Sequence, residues 1–111
     1  MQYMGNPRRV VLDITPIKRT LSEKRRPVLA IIGVESKYLQ GIAFDVTLPM
    51  PARGAVLANM VVIIVGWGNY NAALPLKNYF KCVNIDGVAR NFTKVFTIEE
   101  YYPINTAYAM V

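Results

Sequence analysis

Residues able to carry out chemistry are few in this chain, and of restricted type. It contains no histidine and a single cysteine, Cys82. Without an imidazole, the serine–histidine and cysteine–histidine nucleophile arrangements are excluded, because the usual proton acceptor at neutral pH is missing. One thiol and no imidazole also exclude a zinc site of ordinary ligand type. Gly66-Trp67-Gly68 lacks the further glycine and the helix of a phosphate-binding loop. The carboxylates are scattered. Glu99 and Glu100 are adjacent and would point to opposite faces of a strand. Asp13, Asp45 and Asp86 would make a magnesium-dependent site only if folding gathered them; Asp13 and Asp45 read instead as solvent-face residues, and Asp86 as a turn residue. Cys82 falls within a strand pattern and reads as a small buried apolar side chain. The expectation is a non-enzymatic protein with no cofactor and no metal.

What the sequence offers is positive charge near aromatic rings. The net charge is +6, and it is uneven. Arg8, Arg9, Lys18, Arg19, Lys24, Arg25 and Arg26 face only Asp13 and Glu23 within residues 1–26, a net of +5, which leaves +1 for the rest of the chain. Lysine and arginine that neutralise phosphates release counterions, which gives affinity without sequence specificity. Aromatic faces stack on bases. Trp67 and Tyr70 lie in a glycine-flanked stretch that reads as a loop, Gly66-Trp67-Gly68-Asn69-Tyr70-Asn71. The expected nucleic-acid-binding residues are therefore the seven cations of the first quarter together with Trp67 and Tyr70. The plain alternatives are a solvated basic face and a tryptophan that belongs to the core.

The elements that must position these residues are mostly strands. Arg9 to Ile14 alternates like a half-buried strand that Pro16 ends. Thr20-Leu21-Ser22-Glu23 has capping-box spacing, with space before Pro27 for a turn or two of helix. Val28 to Val34 is apolar almost throughout, the pattern of a strand covered on both faces. Gly41 to Leu48 alternates, with Ile42, Phe44, Val46 and Leu48 inward, and is expected to form a hairpin with it. Pro49 to Gly54 reads as a stiff loop, and Val56 to Val65 as the central strand. Tyr79 to Ile85 and Phe92 to Ile98 flank Asp86-Gly87, which favours a type I′ hairpin. The uncharged tail from Tyr101 to Val111 is expected to pack on its own domain or on a neighbour.

At 111 residues the chain has room for one β-rich domain, 1–111, with a basic N-terminal segment at about 1–26. The expected fold class is all-β: a small barrel or sandwich of about six to eight short strands, mostly antiparallel. The composition is 53% hydrophobic and only 18% charged, so self-association is expected to cover part of the apolar surface. There is no signal-type apolar segment and no stretch long enough for a membrane-spanning helix, which points to a soluble protein of the cytoplasm or a virion. The leading expectation is a protein that binds single-stranded DNA or RNA through its basic surface and loop aromatics, acting as an oligomer. The alternative is a viral structural subunit, such as a capsid, cement or tail protein, that assembles through apolar surfaces. No small-molecule substrate is evident.

Overall fold

The computed structural model describes residues 8–10, 14–44, 46–68, 78–89 and 92–109. In chain order these form β1 (Arg8–Val10), α1 (Ile14–Glu23), β2 (Val28–Glu35), α2 (Ser36–Leu39), β3 (Leu57–Gly68), β4 (Tyr79–Asn84), β5 (Val95–Glu99) and β6 (Ile104–Ala109). The strands make one sheet in the order β1-β6-β2-β3-β4-β5, antiparallel throughout. The all-β class holds in this coarse form. The sheet is open, ending at β1 and β5, where a barrel or sandwich was expected. No described helix is long and apolar enough to cross a membrane.

The core lies on one face of the sheet. Val28, Ala30 and Ile32 of β2 stand opposite Ile64, Val62 and Met60 of β3; Cys82 continues the row from Ile64, and Phe96 from Cys82. All of these are at most 1% exposed. Period-two alternation puts them on the same side. Helix α1 covers one part of this face with Ile17 and Leu21. An aromatic cluster of Tyr38, Phe44, Phe92 and Phe96 closes another part, with neighbouring ring centroids 5.1–6.2 Å apart.

Several local expectations are corrected. The N-terminal strand is described over Arg8–Val10, and a ten-residue helix, not strand, includes Ile14 as its first residue. Pro16 is its third residue, where the missing N–H has no helical partner in any case. Gly41 to Leu48 does not pair with β2, whose neighbours are β3 and β6. Four-residue α2 intervenes, Ile42 and Val46 are exposed, and only Phe44 and Leu48 turn inward. Thr47 instead bridges Thr97 at the outer edge of β5, and their hydroxyls are 2.7 Å apart. β4 and β5 do pair, but through a connection over 85–94 in which neither Asp86 nor Gly87 has positive φ, so the turn is not type I′. Gly66-Trp67-Gly68 belongs to β3 and is not a loop.

Other expectations hold. β3 is central, between β2 and β4. Residues 49–54 lie outside helix and strand, in a loop that ends in a turn closed by the Ala55 N–H on the Ala52 carbonyl, with Gly54 at φ 79°. Cys82 is buried, and its thiol is pushed well above its ordinary range by desolvation. The tail becomes β6, inserted between β1 and β2. Just before it, Tyr102 is 3% exposed and donates its hydroxyl to the carbonyl of Gly33 at 2.6 Å. Burial raises its pKa, with a smaller contribution from the negative charge of Glu35.

Removing the Tyr102 hydroxyl strands the Gly33 carbonyl. Tyr102→Phe is expected to cost about 1–2 kcal/mol in denaturant unfolding at neutral pH. A raised folded pKa confers stability that is complete below the unfolded value and lost above it. Wild-type stability should therefore decline above about pH 10, and less steeply in Tyr102→Phe.

Candidate nucleic-acid interface

The register brings distant basic positions to one end of the sheet. Arg8 pairs with Ala109, Ala109 with Val28, and Val28 with Ile64. With strands about 4.8 Å apart, the backbone of Arg8 is then roughly 14 Å from that of Ile64. Residues 24–27 enter β2 at this same end, where β3 runs on past Ile64 toward Trp67. The side chains of Arg8 and Arg9 and all of Tyr70 lie outside the described residues, as do Asp13 and Asp45.

Trp67 reaches this corner through a β-bulge. Ile64 pairs with Cys82 but Gly66 with Lys81, so Val65 is an extra residue. The extra residue places Trp67 opposite Phe80, on the core face beside α1. There the indole N–H donates to Ser22 Oγ at 2.7 Å. Lys18 Nζ sits 4.6 Å from the ring centroid and 2.8 Å from Glu100 Oε2. The tryptophan is thus neither pure core nor a free stacking platform: it is 39% exposed, and it shares its ring with a cation already paired to a carboxylate.

The remaining cations differ. Arg19 stands 4.0 Å from Glu23, both largely exposed, a pairing worth little in water. Lys24, Arg25 and Arg26 are exposed and form no ion pair with a described residue. Arg25 has φ 51°, in the left-handed region that disfavours any side chain with a Cβ. The turn it makes lets the Arg26 N–H return to the Thr20 carbonyl at 3.3 Å.

Of the expected site, then, the structure joins Lys18, Arg19, Lys24, Arg25, Arg26 and Trp67 around the end of α1. Ser22 and Glu100, which orient Trp67 and Lys18, were not anticipated. Their partners are 45 and 82 residues away in sequence, and no local pattern signals such pairs.

An alternative site is a cleft of about 480 Å³ lined by Asn84, Asp86, Phe92 and Lys94, among others. Its carboxylate is occupied by the fold. Asp86 Oδ2 accepts the Val61 N–H and Oδ1 the Val88 N–H, both at 3.0 Å. These bonds, Val61 first, hold its pKa below the usual carboxylate range. Among the described residues no group of three or more histidine, cysteine or acidic side chains gathers as a metal site.

No protein-family model, no curated protein and no solved structure matches this chain.

The depressed Asp86 pKa gives stability that is present above the ordinary aspartate value and lost as pH falls through the folded one. Acid titration of the fold, followed by circular dichroism, should show a loss below about pH 4 that Asp86→Asn reduces. At neutral pH, Asp86→Ala is expected to cost about 1–2 kcal/mol, kept modest by the carboxylate's access to water.

Proposed function

We propose that this protein binds single-stranded nucleic acid by its backbone phosphates, through the basic corner at the end of α1. The observation that carries this reading is the run Lys24-Arg25-Arg26, three exposed cations without ion-pair partners among the described residues, set where Arg8 and Arg9 enter the sheet. Arg25 adds weight. A left-handed residue costs an L-amino acid about 1–2 kcal/mol relative to glycine, so an arginine there points to a use for its charge. Lys18 is committed to Glu100 and serves to hold Trp67 rather than to meet phosphate. Trp67 contributes the exposed part of its ring at the margin of the contact.

Fluorescence anisotropy of a labelled single-stranded oligonucleotide at two salt concentrations tests this. Affinity should fall steeply with salt, and each of Lys24→Ala and Arg26→Ala should lower the salt slope by about one. Arg25→Gly should weaken binding while raising the melting temperature. Binding that is absent at low salt, or indifferent to salt, would sink the proposal.

A second reading, a structural subunit that assembles through apolar surfaces, is favoured by the sheet face turned away from α1. That face carries Leu29, Ile31, Val61 and Ile63, all half-buried.

A further inference from the structure

The strands β2 and β3 are apolar on both faces, and the described chain fills only one of them. In an antiparallel sheet with one solvated face, polar residues alternate with apolar ones. Here the alternate positions are Leu29 and Ile31 in β2, opposite Ile63 and Val61 in β3, with Val83 in β4 and Tyr108 in β6 beside them. All six are half-buried, against essentially complete burial of their neighbours on the core face. Val95 of β5, opposite Val83, extends the patch and is 49% exposed.

We infer that this outer face docks the same face of a second copy of the chain. Size fits this occupant. Five strands at about 4.8 Å spacing and roughly 20 Å of strand length present about 480 Å² in projection, so two copies remove about 1,000 Å², the lower bound of a specific interface. The charges fit it as well. Lys81 and Glu99 lie diagonally across β4 and β5 on this side, so both signs border the apolar centre. Among the described side chains of this face a nucleic acid would meet Lys81 beside Glu99; an identical face meets apolar side chains and charges of either sign. Packed face to face, the two open sheets form a sandwich that a single chain lacks. The inference stands independently of the nucleic-acid reading.

Sedimentation equilibrium of the full chain without oligonucleotide tests it. Twice the 12.5 kDa chain mass is expected. Ile63→Lys enters a twofold interface twice and should weaken dimerisation at least ~100-fold with an unchanged circular dichroism spectrum. Val88→Lys, at a loop residue 95% exposed, should leave the mass unchanged. If Ile63→Lys does not fold, the milder Val83→Thr should still raise the dissociation constant by ~10-fold. A chain that stays at 12.5 kDa up to high concentration overturns the inference. So does a folded Ile63→Lys that remains dimeric, or one that loses oligonucleotide binding with no change in mass.

Discussion

The row that runs across the sheet through Val28, Ile64, Cys82 and Phe96 is the contact on which the other parts depend. Each member is at most 1% exposed, and each belongs to a different strand. Because side chains alternate strictly, a slip of one residue between β2 and β3 would turn the core outward. The same register sets where β3 outruns β2, and so where the 24–27 connection passes. The bulge at Val65 then corrects the alternation, so that Trp67 returns to the side occupied by α1. Without it, the glycine at 66 would face the helix and the indole would face away.

Strand content was legible in the sequence wherever apolar runs were long. Val28 to Val34 read as a strand covered on both faces and Val56 to Val65 as the central strand, its β-branched run weighing against a buried helix, and the two strands neighbour each other. Helix α1 was legible only at Thr20-Leu21-Ser22-Glu23, which read as the start of a turn or two of helix and is the end of one. Its true start was hidden because alternation in Val10, Leu12 and Ile14 mimics a strand, and because a proline at the third helical position looks like a break. Ile42 and Val46 failed for another reason: their alternation is real, but α2 diverts the chain from β2, and the segment at Val46 meets the edge of β5 instead, its carbonyl accepting the Thr97 N–H while its side chain stays exposed. Asp86-Gly87 has the residues of a tight hairpin turn. The carboxylate is instead recruited by the Val61 amide where β4 leaves β3, and a longer connection follows.

Of the candidate interface, the charges were legible and their disposition was not. The basic first quarter is visible in composition alone. Which of its cations are spent within the fold depends on Glu100 and Glu23, and on an indole that strand geometry delivers from the middle of the chain. Half of the two-sided coverage expected for β2 is present in the described residues. The other half rests with whatever meets Leu29 and Ile31.

The position of β6 has a consequence for the order of assembly. It is the last of the described strands, yet it lies between the first two, and among the described strands β1 is hydrogen-bonded to β6 alone. β2, β3, β4 and β5 follow one another and can zip up through comparatively local closures. β1 has no seat until β6 has crossed back to β2, a closure spanning nearly the whole described chain and correspondingly slow. The seat of Arg8 and Arg9 in the sheet is thus conditional on the C-terminal strand, and lifting β6 removes the described strand on which theirs is paired.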